Sequence, residues 1–473
     1  MNTKGMHGPI ALVVTTALVL AACGSGSHDM AGIDRTGAPV IAAYGPVSAF
    51  GSVVVNGVRY DTSSATFTID DESGTQADLS IGDIVLVKGS LDSGGTTGTA
   101  ASVSFENDVV GPVTSIDAAA GTLVVLGQSV RVSADTSFDS GIASGGLDGL
   151  TIGDVLEVSG LVHGDQWIDA TRIARRPAGG EFEVTGTAAG NQVVLRAFFL
   201  GGLFVNYRAA VVSGIPGGIV SNGQRVRIKG VLVSGAFSAT QVSARATNPL
   251  GGASGERRDI EGAITRFASA TDFDVAGLKI APGSQTRYDG GTAADLGLGV
   301  TVEAEGTLNE AGALSATRIE LRRSASARIT GSLDSVNAAG GSLVVLGVTA
   351  NVNARTRLED QGPQKARPFS LANLVPGDYV EVRGSEAPAG SGQLLATLVE
   401  RRNNQQQTEL EGIVESVTPP LFVVLGVSVS TDAGTQFGGI GGVSQLAVGD
   451  RVKIDGQKLG DRALAATKVS IGH

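Results

Sequence analysis

The chain has 473 residues, 42% hydrophobic and 4% aromatic, with 69 glycines, one cysteine and a formal charge of −11. That balance argues against a polyanionic partner such as nucleic acid, whose binders concentrate positive potential, and a lone cysteine leaves no disulfide staple and no cysteine zinc site. High glycine with abundant Val, Ala, Ser and Thr predicts an all-β protein full of turns.

The chain opens MNTKGMHG, with one positive charge at Lys4, and runs through the apolar PIALVVTTALVLAA to Leu20-Ala21-Ala22-Cys23. This is the pattern of a signal peptide over residues 1–22. The run falls short of the about 20 apolar residues that span a bilayer, and no later stretch comes closer. LAAC resembles the lipobox of bacterial lipoproteins, in which the cysteine is diacylated and heads the mature chain. The resemblance implies lipidation at Cys23 and a tether over residues 23–44 of flexible composition. With Gly24 after the cysteine rather than aspartate, it also implies an outer-membrane anchor, facing the periplasm or the surface.

Beyond the tether the chain repeats itself. The phrase SIGDIVLVKG from Ser80 returns as TIGDVLEVSG from Thr151, VPGDYVEVRG from Val375 and VGDRVKIDG from Val448, and its glycine recurs at Gly82, Gly153, Gly223, Gly299, Gly377 and Gly449. Such regular spacing marks a repeat architecture. In every copy the positions that follow alternate, apolar at Val85 and Val87, Leu156 and Val158, Val226 and Ile228, and so on, with polar residues such as Glu157, Arg227, Lys229, Glu303 and Glu305 between them. Period-two alternation predicts a strand with one face in a core and one in water. A glycine then follows in all copies, at Gly89, Gly160, Gly230, Gly306, Gly384 and Gly456, and reads as the strand's end.

Around this fourth strand the rest of the unit takes shape. A short first strand begins at a glycine (GPVSAF from Gly45, GPVTSI from Gly111), and a hairpin supplies the second and third (SVVVNGVRY from Ser52, TLVVLGQSVRV from Thr122). Asn56-Gly57 is a type I′ turn signal. A fifth strand carries Ala-Thr, as ATRI from Ala170 or ATKV from Ala466. Five strands with a variable third-to-fourth connection predict an all-β tandem array of six small OB-like barrels, SH3-like barrels fitting almost as well. The repeats span 45–108, 109–180, 181–250, 257–326, 327–404 and 408–473. Units this small support one another through edge contacts.

A lipobox followed by tandem copies of G-x-V, VVVLG, GD-x-V-x-V-x-G and AT-x-I is similar to the bacterial repeat lipoproteins of domain of unknown function five-six-six-six. Repeats three and four depart from the pattern, with Gln224 and Val300 where the others carry Asp83, Asp154, Asp378 and Asp450. The family name brings no activity with it.

Those four aspartates read as turn residues that bond the backbone beside a glycine of positive φ. Asp70, Asp71 and Glu72 lack the EF-hand spacing and read as a solvated loop. His163, beside Asp165 and Trp167, falls in a hairpin loop, and with no G-x-S-x-G or phosphate loop the chain is expected to be no enzyme, without metal or cofactor. FFLGGLFVNY, Phe198 to Tyr207, is the most aromatic stretch; core filling is expected, with any outward Phe198, Phe199 or Phe204 available, like Trp167, to stack on a ligand. The pairs Arg175-Arg176, Arg322-Arg323 and Arg401-Arg402 read as exposed linker salt bridges near Glu181, Glu183, Glu409 and Glu411, or as contacts to envelope phosphates or carboxylates.

The expectation is a non-enzymatic, lipid-anchored envelope protein acting as spacer, scaffold or interaction surface toward the cell wall or an envelope protein. Extended in a line, its barrels would reach on the order of 150 Å. The alternative is a binding module holding an oligosaccharide or peptide in OB-type grooves.

Overall fold

A computed structural model describes residues 40–471, apart from 93–94, 119, 140, 143–145, 164–166, 323–324 and 389. The signal peptide, Cys23, the tether and Arg323 lie outside the described residues. All described residues belong to one compact unit, Arg35–His473.

Repeat two shows the plan. Its strands are Val109–Asp117, Thr122–Val125, Gln128–Arg131, Val155–His163 and Trp167–Arg176. The first pairs antiparallel with the second and with the fourth, the second antiparallel with the third, the third parallel with the fifth, and the fifth antiparallel with the fourth. That circuit closes, giving the five-stranded Greek-key barrel of the OB type. The same circuit closes in repeats one, three, four, five and six. In repeats one, two, three, five and six the variable connection adds a short sixth strand parallel to the fifth.

The opening motif is a turn. Gly82, Gly153, Gly223, Gly299, Gly377 and Gly449 all have positive φ, from 80° to 97°. The four aspartates accept a backbone N–H three residues back, from Ser80 (2.6 Å), Thr151 (2.8 Å), Val375 (3.0 Å) and Ala447 (2.8 Å). Gln224 does the same to Ser221 at 3.1 Å, so repeat three keeps the turn with another side chain. Repeat four keeps only the backbone bond, Val300 N to Gly297 O at 3.1 Å.

The glycine after the alternating residues does not end the fourth strand, which runs on past it to Leu91, His163, Val233, Leu308, Glu386 and Gly460. It sits at a β-bulge, where the register to the fifth strand slips by one residue in all six barrels. Only glycine fits: a Cβ on Gly89, Gly160, Gly230, Gly306, Gly384 or Gly456 would meet a fifth-strand carbonyl oxygen at 2.1 to 2.4 Å. The extra residue of the bulge is Ala101 in repeat one and the threonine of Ala-Thr in the other five. The threonine hydroxyl donates to the carbonyl just before the glycine, as Thr171 to Ser159 (3.0 Å), Thr240 to Lys229 (3.1 Å), Thr317 to Glu305 (3.1 Å) and Thr467 to Asp455 (3.0 Å).

The first strands start earlier than their glycines, and the added residues pair barrel to barrel. Repeats two and three join antiparallel through Val109 and Val110, and repeats five and six through Arg328–Thr330. Repeats one and four, distant in sequence, join in parallel, Ala43 opposite Asp259. Three 12-stranded sheets result, and the edge each first strand would expose is covered. Repeats two and three share one apolar core, as do five and six.

The outer faces of the fourth strands correct the sequence reading most. Glu157, Ser159, Arg227, Glu303, Glu305, Glu381 and Arg383 were expected in water and are buried. Ser159, Arg227, Glu303 and Arg383 bond other barrels, while Glu157, Glu305 and Glu381 pair with arginines of their own. Repeat one alone bonds repeats two, three, four and five, through Ile84 N to Ser159 Oγ (2.9 Å), Asp70 to Arg227 (2.6 Å), Asn56 to Asp259 (3.1 Å) and Leu79 O to Arg367 (3.0 Å). An extended line of independent barrels is not the arrangement that forms.

Candidate functional site

The face of an OB barrel that lies over its second and third strands is where such folds take ligands. In repeat two that face carries a groove of about 320 Å³, bounded by the ends of the first three strands and by Trp167. Successive side chains along a strand alternate between core and outside. Leu123, Val125 and Val130 therefore fill the core, while Ser115, Asp117, Ser129 and Arg131 stand exposed in the groove.

Trp167 opens the fifth strand, with Ile168 opposite Val130 and Asp169 opposite Arg131 on the parallel third strand. The half-buried indole is held on two counts. His163, at the end of the fourth strand, stacks on it with ring centroids 5.0 Å apart, and the Arg131 guanidinium lies 4.5 Å from the ring centroid, a cation–π arrangement. Asp169 ties both partners, with Oδ2 2.6 Å from His163 Nε2 and Oδ1 3.8 Å from Arg131 Nε. His163 is buried and packs toward Gly299 of repeat four. Its Nδ1 meets no hydroxyl or thiol among the described residues, and its ring packs on the indole. Sequence reasoning singled out His163 and Trp167 but missed Arg131 and Asp169, because only the parallel register brings the third strand beside the fifth.

The aromatic run of repeat three divides between two faces. Phe198 is fully buried and packs on Tyr207, centroids 5.4 Å apart, so it is core and unavailable to a ligand. Phe199 and Phe204 face outward on the second and third strands, edge to face at 5.2 Å, with Phe199 37% exposed. No cation or carboxylate joins them among the described contacts.

The arginine pairs are not linker bridges to the following repeat. Their described members, Arg175, Arg176, Arg322, Arg401 and Arg402, lie at or just past the end of a fifth strand and bind acids of their own barrels. Arg175 reaches the turn residue Asp154 at 2.9 Å and Arg176 the strand residue Glu157. Arg401 binds Asp360 and, at 3.5 Å, Asp378, while Arg402 binds Glu381 at 3.0 Å and Glu400. Arg322 binds Glu261 at 3.0 Å, Glu320 at 2.5 Å and Glu303. Arg401, Arg402 and Arg322 are thereby largely buried in pairs within the protein.

Burial between barrels perturbs several carboxylates. Asp83 is pushed up to about 7 by desolvation, which the Arg172 guanidinium offsets only in part. Glu400 is pushed up to about 7 and Asp108 to about 6, again by burial. For Glu381, burial is overridden by Arg383, Arg402 and Arg328, and its carboxyl is held well below the usual range. None of these four lines the groove of repeat two or the cavity beside Glu359. The cavity beside Glu359, between repeats one and five, is about 30 Å³, room for about one water. Among the described residues no group of three or more His, Cys, Asp or Glu is placed to hold a metal ion.

A family model described as "Domain of unknown function (DUF5666)" matches residues 44–104, 110–174, 261–320, 330–400 and 411–470. The stretch it passes over is repeat three, which nonetheless closes the same barrel. No curated protein matches the chain.

Proposed function

The chain belongs to the family of Domain of unknown function (DUF5666), and from that footing we propose that it is a non-enzymatic cell-envelope lipoprotein whose six barrels act as one scaffold. In this reading diacylated Cys23 holds the chain to the outer membrane, and the barrel surfaces engage the cell wall or an envelope protein, not nucleic acid. The observation that carries it is the interlocking of barrels distant in sequence, such as the parallel pairing of repeats one and four and the Asp70–Arg227 bond between repeats one and three. Barrels strung out as a reach-extending spacer have no need of such contacts, whereas a block that presents fixed surfaces does. The buried carboxylates serve the interfaces between barrels, as Asp83 does beside Arg172 of repeat two.

The anchor is tested by growing cells with radiolabelled palmitate. Wild-type protein should take up label and fractionate with the outer membrane, and Cys23→Ser should be unlabelled and released. An unlabelled wild-type chain would overturn the lipoprotein reading. Co-sedimentation of the soluble chain from Gly24 onward with cell-wall sacculi, at low and high salt, then separates a wall partner from a protein partner.

A further inference from the structure

We propose that the groove on repeat two binds a short oligosaccharide, with Trp167 and Arg131 as its anchors. This goes beyond the scaffold reading and does not depend on the lipid at Cys23.

The first support is comparison among the six barrels, which share one frame and so show what the frame itself requires. The position of Trp167 is taken by Thr97, Ala236, Ala313, Gln393 and Ala463 in the other barrels, and that of Arg131 by Asp61, Asn206, Ala281, Asn351 and Ser430. Small or uncharged side chains predominate there, so closing a barrel needs neither an indole nor a guanidinium. Repeat two alone carries both, together with the His163 and Asp169 that orient them.

The second support is what the groove offers. Its floor is the outer side of strands whose two edges are already paired within the barrel. An extended peptide, which binds sheets by adding a strand to a free edge, finds no edge here. What remains are side-chain groups: hydroxyls of Ser115, Thr122 and Ser129, the Asp117 carboxylate, the Arg131 guanidinium and the indole. Hydroxyls flanked by one group of each charge suit a polyol, which donates and accepts at every carbon, and carry no net bias toward an anion. The indole adds the apolar surface on which the C–H side of a pyranose ring rests, and its size and polar edge suit a ligand that is wet on one side. A groove of about 320 Å³ lies at the small end of ligand sites, which limits the occupant to a few sugar units.

Trp167 is the single tryptophan of the chain, so indole emission of the soluble chain from Gly24 onward, excited beyond the absorption of the five tyrosines, reports on this groove. The probes are N-acetylglucosamine tetramer, a glucose tetramer and a free cell-wall stem peptide. A saturable change in emission is expected with at least one saccharide, with half-saturation at or below about 1 mM. Arg131→Ala should weaken it by about tenfold, the loss expected when a charged hydrogen-bond donor is removed. Ser129→Gln, which fills the groove and leaves the core untouched, should abolish the change while far-UV circular dichroism stays that of wild type. No response to either saccharide at about 10 mM, a response to the peptide alone, or binding unaltered in both variants would each overturn the proposal.

Discussion

Asp83 and Asp154 hold the same place in the same turn, and their surroundings give them opposite responses to pH. Asp154 is half-buried, and the Thr151 N–H it accepts holds its carboxyl below the usual range. Asp83 is enclosed where repeats one, two and five meet, and desolvation pushes it up to about 7. A carboxyl raised in the folded state takes up protons the unfolded chain does not hold between about pH 4 and 7, so its contribution to stability is present below that window and lost as pH rises through it. A lowered carboxyl contributes above the unfolded value, and the contribution is lost as pH falls. Asp83→Asn should therefore gain stability relative to wild type as pH rises from 4 to 7, by an amount on the order of 3 kcal/mol. Asp154→Asn should stay below wild type by a constant amount from pH 4 to 7 and close on it only as pH falls below about 4. Urea midpoints at pH 3, 4, 5.5 and 7 decide both; parallel pH profiles for the two variants would refute the role given to burial.

At the scale of the strand, two motifs that look independent in the sequence are halves of one bulge. Glycine lets the fifth-strand backbone close in, and the threonine on that strand supplies the extra residue and bonds back across. Gly456→Ala would press a Cβ to 2.3 Å from the Ala465 carbonyl oxygen, and the backbone must move. The expected cost is about 1–3 kcal/mol, against about 1 kcal/mol for Thr467→Val, which removes only the hydroxyl bond to Asp455. Because the two residues share one bulge, the double variant should cost less than the sum, as a urea double-mutant cycle would reveal. A strictly additive pair would mean the motifs act separately. Strand order, turn glycines and the barrel itself were legible in the sequence because each rests on local alternation and turn chemistry. The bulge was not, because a glycine after alternating residues reads as a stop whether the strand ends or bends. The groove was half legible: Trp167 stands out in one dimension, but Arg131 is 36 positions away and is brought beside it only by the parallel register of third and fifth strands.

At the scale of the whole array, the outward charges of the fourth strands change from Arg227 and Lys229 to Glu303 and Glu305 because each barrel meets a different neighbour. No single-repeat pattern carries that information, since a buried Glu and a solvated one occupy the same polar position of an alternating strand. Arg227 shows what is at stake. It is 1% exposed and binds Asp70 of repeat one and Glu183 of its own barrel, with Glu106 3.8 Å away. A buried ion pair adds little net stability, because desolvation consumes most of the attraction, yet removing one partner strands the other and costs about 3–5 kcal/mol. Arg227→Met leaves these carboxylates facing one another without their cation. If the barrels form one cooperative body, that cost is shared by all of them. Calorimetry of the soluble chain should then give a single transition that moves down as a whole in Arg227→Met. If repeats one and three were merely adjacent beads, the variant would split off a low-temperature transition of one barrel's size and leave the rest at the wild-type temperature, an outcome that would remove the scaffold reading's main support.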